Sequence, residues 1–216
     1  MGKMLFRLSL ASLALAFLLP SSGLLAQQSS AGTSSSKASH SPEQRVKQAE
    51  RVASDEGNYR NSNFGFTYRA LYGWVDRTRQ MQDEDNDPAK AQLLLAVFEH
   101  PPEVTGDSIN SAVIIAAESV ATYPGLKTAG DYLGPLTELT TGKGFKVANE
   151  PYEFNVGTRT LVRGDFTKAT GKLTMHQSSL VMLQKNFVVS FTFIGGSEDE
   201  VNELIEGLSF VPAKSK

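Results

Sequence analysis

The chain has 216 residues, with 21 basic and 23 acidic side chains, a formal net charge of −2 and no cysteine. Without cysteine it forms no disulfide, no thiolate metal site and no lipid-modified cysteine, and it has no thiol nucleophile. The slight acidic excess argues against nucleic acid as a partner, because nucleic-acid-binding domains usually present a clustered basic face.

The N-terminus is predicted to be an export signal. Lys3 and Arg7 precede an apolar run over residues 8–19, and small residues follow it up to Ala26. A basic start, a short apolar centre and a small-residue exit are the three parts of a signal peptide, here residues 1–26. The alternative is an uncleaved anchor, although the run is shorter than the roughly 20 residues of a membrane span. We therefore expect a periplasmic or extracellular protein that is not a lipoprotein and has no transmembrane segment after cleavage.

Two polar segments are predicted to precede the folded domain. Residues 27–41 are rich in serine and lack large apolar side chains, which indicates a disordered linker. Residues 42–57 are predicted to form a marginal surface helix, with Ser41 as its N-cap and Pro42 at its first position. Residues 58–212 then form a single domain, and residues 213–216 form a tail.

The first half of this domain is predicted to contain four strands. One covers residues 59–69, where large aromatic residues alternate with other residues, and the next begins at Trp74. The acidic residues 80–91 are expected to form a loop. The continuous apolar runs at 92–99 and 112–120 are typical of central strands covered on both faces.

The second half is predicted to begin with a helix over residues 128–140, kinked at Gly134-Pro135. Four strands follow, at 146–154, 158–167, 175–183 and 187–194, and then a terminal helix capped by Ser197. Antiparallel strands with helices available for each face predict an α+β fold, an antiparallel sheet flanked by helices in an α/β/α sandwich.

The start of the domain contains a Y-x-N-x-x-F-G-F-x-Y-x-x-x-x-G-W pattern, and an FVVSFTFIGG segment precedes the terminal helix. The residues of the pattern are Tyr59, Asn61, Phe64, Gly65, Phe66, Tyr68, Gly73 and Trp74. Together these features resemble the PsbP-like domain family. The resemblance covers roughly residues 58–212 and implies an α/β/α sandwich with a scaffold or binding role rather than an enzymatic one. It supplies no functional residue, and we interpret the aromatic positions as core.

Asp83, Asp85 and Asp87 are the candidate ligands of a calcium ion, because alternating carboxylates suit this hard cation. The segment is not an EF-hand loop. Pro88 occupies the sixth position, where glycine is required, and Leu94 occupies the twelfth, where a bidentate Glu is required. A looser calcium site remains an alternative to a solvated acidic loop.

The histidines His40, His100 and His176 lack ligand spacing, so the alternative for zinc is a pairing of His100 with His176 in space. Gly142-Lys143-Gly144 follows a helix and lacks the remaining residues of a phosphate-binding loop.

Two further patterns involve basic residues. The tripeptide Arg163-Gly164-Asp165 lies inside a predicted strand and is interpreted as a coincidence. Arg159 and Arg163, with Lys168 and Lys172, are expected to form a solvated basic edge.

No catalytic residue, metal ligand or cofactor site follows from these patterns. The sequence predicts an exported, non-enzymatic module that binds a protein or another envelope component through a sheet edge or a loop. The alternative is a hydrolase or other enzyme whose site is assembled only by the fold.

Overall fold

The structure is a computed structural model, and it describes residues 57–82, 90–101, 103 and 107–210. The predicted signal peptide, linker and helix lie outside these residues, apart from residue 57 of the helix. The calcium candidates Asp83, Asp85 and Asp87, together with His40 and the tail, also lie outside them.

Most of the described chain consists of strands and three helices. The strands are β1 (Asn58–Asn61), β2 (Phe66–Arg69), β3 (Val75–Asp76), β4 (Ala91–Phe98), β5 (Ala112–Ser119), β6 (Lys146–Val147), β7 (Tyr152–Val156), β8 (Arg159–Thr170), β9 (Leu173–Gln184), β10 (Phe187–Gly195) and β11 (Leu208–Phe210). The helices are α1 (Thr78–Gln82), α2 (Ala129–Gly142) and α3 (Glu198–Glu206).

A large antiparallel sheet forms the centre of the domain. Seven of its eight strands follow the order β3-β4-β5-β10-β9-β8-β6. The eighth, β7, pairs with a different part of β8, on the same side as β6. The central strands β5 and β10 are buried along almost their whole length, as their continuous apolar sequences predict. The connection from β9 to β10 is a tight turn in which Lys185 and Asn186 have φ angles of 51° and 63°.

A second sheet of three strands, in the order β1-β2-β11, packs against the first. The single strand predicted over residues 59–69 is wrong, because this segment is a hairpin. The Asn61 side chain accepts a hydrogen bond from the Phe64 backbone at 2.9 Å, and Gly65 has a φ angle of 68°, so the chain reverses between β1 and β2. The short strand β11 was not expected from the sequence.

The two longer helices are capped at their N-termini by side chains, and the predicted cap at Ser197 is confirmed. Ser197 accepts a hydrogen bond from the Glu200 backbone at the start of α3. Thr128 and Asp131 form a capping box at the start of α2, which continues through Pro135 to Gly142. The short helix α1 occupies the beginning of the segment predicted to be a loop.

The large sheet is covered on both faces. Helices α1 and α2 pack on one face, whereas α3 and the small sheet pack on the other. On the second face, Phe66 of β2 meets Phe191 of β10 with ring centroids 5.0 Å apart. The predicted α+β fold, with an antiparallel sheet between helical layers, is confirmed.

Candidate functional site: an exposed turn beside an arginine-bearing sheet

A buried ion pair lies on the face of the large sheet that carries α3. Arg163 and Asp165 are two residues apart on β8 and therefore share this face. Arg163 Nε donates to Asp165 Oδ1 at 2.8 Å, and the Arg163 side chain is only 4% exposed. Ser178, opposite Asp165 on β9, accepts from the guanidinium at 2.9 Å and donates to the carboxylate.

Aromatic and polar side chains complete this cluster. The Arg163 guanidinium carbon lies 4.9 Å from the ring centroid of Phe154 and 5.9 Å from that of Tyr152. The Tyr152 hydroxyl donates to Asp165 Oδ2 at 3.1 Å, and Asn149 donates to the same oxygen at 3.2 Å. Burial alone would raise the pKa of Asp165, but hydrogen bonds from Ser178 and Arg163 and the guanidinium charge hold it below its usual range.

The prediction of a solvated basic edge at Arg159, Arg163, Lys168 and Lys172 is wrong. Strand β8 is not an edge, because β9 pairs with one side and β6 and β7 with the other. Arg163 is buried in its ion pair, and Lys168 lies on the opposite face, where its Nζ donates to the Lys143 carbonyl at 2.8 Å. The Arg163-Gly164-Asp165 tripeptide is therefore an internal structural element of β8.

A second buried carboxylate lies on the other face of the sheet. Glu118, at the end of β5, is 3% exposed and accepts a hydrogen bond from the Tyr132 hydroxyl of α2 at 2.8 Å. It also accepts one from the Tyr123 hydroxyl. The tyrosine rings contact each other edge to face, with centroids 5.1 Å apart. This cluster joins α2 and the preceding loop to the end of β5.

Lys143 follows α2 and is half-buried. Burial, and then the nearby Lys168 ammonium, lowers its pKa to about 8. The Gly142-Lys143-Gly144 segment lies at the end of α2, and the Lys143 carbonyl accepts a hydrogen bond from Lys168.

The two histidines in the described residues lie in different parts of the sheet. His176 is on β9 and His100 follows β4, and β5 and β10 separate these strands. Three strand spacings amount to roughly 14 Å, too far for two ligands of one zinc ion. Within the described residues, no group of three His, Asp or Glu side chains is arranged to hold a metal ion.

The outer face of the small sheet carries two arginines. Arg60 on β1 is opposite Thr67 on β2, and Arg69 on β2 is opposite Asn58. The arginines are thus diagonal neighbours, roughly 7–8 Å apart, and both are exposed. Neither is in an ion pair with any residue that the structure describes.

An exposed turn follows β2 directly. The Trp74 backbone donates to the Leu71 carbonyl at 3.3 Å, and Gly73 has a φ angle of 85°. This geometry is typical of a type II turn with Tyr72 at its first corner. Tyr72 is 96% exposed and Leu71 is 53% exposed, whereas Trp74 is buried in the core.

The base of the turn is fixed by backbone hydrogen bonds. Ala70 donates to the Gly57 carbonyl at 2.6 Å, and Arg69 donates to the Gly207 carbonyl at 2.9 Å. The turn therefore presents Leu71 and Tyr72 in a defined position beside Arg69. We define the docking surface as Arg60, Arg69, Leu71 and Tyr72.

The sequence did not indicate this surface. Leu71 and Tyr72 resemble core residues in composition, and only the turn at Gly73 shows that they point away from the sheets. Arg60 and Arg69 become neighbours because β1 pairs with β2 in this register. A single strand over residues 59–69, as predicted, has no such pairing.

The solved structures with similar folds include three bacterial proteins. The solution structure of cyanobacterial PsbP (CyanoP) from Synechocystis sp. PCC 6803 is 16% identical, with a TM-score of 0.45, and the match covers 71% of this chain and 91% of that chain. LpqN of Mycobacterium tuberculosis, involved in cell envelope biogenesis, is 11% identical with a TM-score of 0.33, over 59% and 82% of the chains. A protein of unknown function from Pseudomonas aeruginosa is 11% identical with a TM-score of 0.37, over 74% and 99%.

No family model and no curated protein sequence matches the chain. Among the described residues there is no helix of the length and apolarity that a membrane span requires. The similar structures include a PsbP protein. Their low identities and TM-scores carry no ligand, partner or activity over to this chain.

Proposed function

We propose that this protein is an exported, non-enzymatic binding module that attaches to a component of the cell envelope through the docking surface. The observation that carries the proposal is the 96% exposure of Tyr72 on a turn whose base is fixed by backbone hydrogen bonds. Tyrosine and arginine are enriched at binding hot spots, because they combine apolar contact with hydrogen bonding. A preformed turn also loses little conformational entropy when it binds.

The ionisable clusters inside the fold have structural partners. Arg163 is paired with Asp165, and Glu118 accepts hydrogen bonds from Tyr123 and Tyr132. These contacts join strands and helices to one another, so they support a role in stability. The docking surface, in contrast, has exposed cationic and apolar groups, as a binding role requires.

The test is site-specific photo-crosslinking in intact cells. A photoreactive phenylalanine analogue at Tyr72 is expected to give a discrete adduct with an envelope component, resolved by mass. The same analogue at Leu173, which is 39% exposed and lies at the turn of the β8–β9 hairpin, is the matched control. Equal labelling at positions 72 and 173 would contradict the proposed function.

A further inference from the structure

We propose that the component bound by the docking surface is the anionic surface of a phospholipid bilayer, with Leu71 and Tyr72 inserted at the level of the headgroups. This inference rests on the proposed function and names its partner. It is carried by the charge, the shape and the position of the surface.

The charge of the surface is complementary to an anionic membrane. Arg60 and Arg69 project from the same face of the small sheet, and neither is neutralised by an ion pair within the described residues. Basic side chains held near a bilayer are attracted by its negative surface potential. On the same face of the small sheet, the Thr67 and Ser209 hydroxyls are hydrogen-bonded to each other at 2.6 Å, which adds polar groups beside the arginines.

The shape of the surface favours a bilayer over a folded protein partner. The large apolar side chains exposed beside the arginines are Leu71 and Tyr72, and both stand on a convex turn. A protein interface normally contains a larger apolar patch that excludes water around its anchor residues. Tyrosine is enriched at membrane–water interfaces, because its ring prefers the acyl boundary and its hydroxyl remains hydrated.

The position of the surface places it where the N-terminal segment joins the domain. Gly57 is the first described residue, and its carbonyl is bonded to Ala70 next to the turn. Residues 1–56, which contain the predicted export signal, therefore join the domain beside Leu71 and Tyr72. If the leader is retained as an anchor, the domain is tethered on the side that carries the docking surface.

Sedimentation with vesicles tests the proposal. The protein is expressed with its own leader, so that all variants share the same N-terminus. Vesicles of phosphatidylcholine with 30% phosphatidylglycerol are compared with vesicles of phosphatidylcholine alone. We expect preferential binding to the anionic vesicles, a loss of at least about tenfold in partition coefficient for Arg60→Ser/Arg69→Ser, and weakening by salt. Lys172→Ser/Leu173→Ser, which changes exposed residues at the β8–β9 turn, outside the docking surface, is expected to bind like the unchanged protein.

A fluorescence measurement reports insertion of the turn. Trp74 is the sole tryptophan, so Trp74→Phe combined with Tyr72→Trp places the only indole at the exposed corner. Its emission is expected to shift to shorter wavelength with anionic vesicles. Thermal unfolding of every variant verifies that it is folded.

The outcomes separate this proposal from the proposed function. Equal binding to both kinds of vesicle, or unchanged binding of the double arginine variant, overturns the lipid assignment. If the vesicles are not bound but the crosslink at position 72 yields a protein adduct, the lipid assignment is wrong and the binding function stands. If neither vesicles nor a specific adduct is found, both are wrong.

Discussion

Arg163 and Asp165 form an ion pair within a single strand, two residues apart, with the guanidinium Nε 2.8 Å from the carboxylate and the arginine almost completely buried. Each charge depends on the other, because removing one partner of a buried pair leaves the other charge without compensation. Substituting both residues together is therefore expected to be more informative than substituting either one alone.

We expect Asp165→Ala to lower the free energy of unfolding by about 3 kcal/mol, because Arg163 is left buried and unpaired. Adding Arg163→Met to this variant should recover at least about 1 kcal/mol, since the uncompensated charge is then removed. Urea unfolding of the two single variants and the double variant measures the coupling. Additive losses would show that the two side chains act independently.

Gly207 is predicted not to accept a side chain. A Cβ atom there would lie 2.9 Å from the Arg69 carbonyl oxygen and 3.0 Å from the Tyr68 ring. Because the first of these atoms belongs to the backbone, Gly207→Ala should cost about 2 kcal/mol and loosen the pairing of β11 with β2. Gly142→Ala is the matched control, since its Cβ would meet no atom of the described part of the chain within 4 Å, and it should be neutral or stabilise by up to about 1 kcal/mol. Equal effects in thermal unfolding would contradict the steric explanation.

Gln177 is predicted to reduce stability. It is 3% exposed, its Oε1 has no hydrogen-bond partner among the residues that the structure describes, and its Nε2 donates to Ser179 at a long 3.3 Å. Gln177→Met keeps the length of the side chain and removes the unsatisfied acceptor, so unfolding should become harder by about 1 kcal/mol. A clear loss of stability in chemical denaturation would mean that the amide oxygen is satisfied in solution.

The lowered pKa of Lys143 is expected to make the folded protein more stable at alkaline pH. Its pKa in the folded protein is lowered to about 8 from 10.5, so between these values the unfolded chain binds more protons than the folded one. Stability therefore increases as the pH rises through this window. Because the side chain is half-exposed, screening limits the gain to about 1 kcal/mol. Urea unfolding at pH 7.5 and 9.5 should show a larger increase for the unchanged protein than for Lys143→Met, and identical increases would contradict the assignment.

The elements predicted correctly are those whose signals are local. Ser197 and Glu200 are three residues apart and form the cap of α3, and the apolar run of β10 identifies it without any partner. The turn at Lys185 and Asn186 likewise lies in the short gap between the strands predicted at 175–183 and 187–194.

The elements that were missed depend on partners distant in sequence. β11 has three residues and forms by pairing with β2. The Arg163 cluster requires the register that places Ser178 opposite Asp165. The docking surface combines a strand register with the exposure of a turn, and neither property can be obtained from the periodicity of residues 59–74. Fold class was therefore accessible from the sequence, whereas the candidate site was not.

The pairing of β2 with β11 also determines when the outer face of the small sheet is complete. Thr67 and Ser209, which bond across these strands, are 142 residues apart in the chain. The β1–β2 hairpin requires only short-range contacts, but its third strand is supplied by the last residues of the domain. Closing so long a segment is entropically costly and slow compared with forming a hairpin. The face that carries Arg60 and Arg69 is thus expected to be completed late, so the proposed docking would be coupled to the completion of folding, and a chain truncated before Leu208 would lack the strand that supports this face.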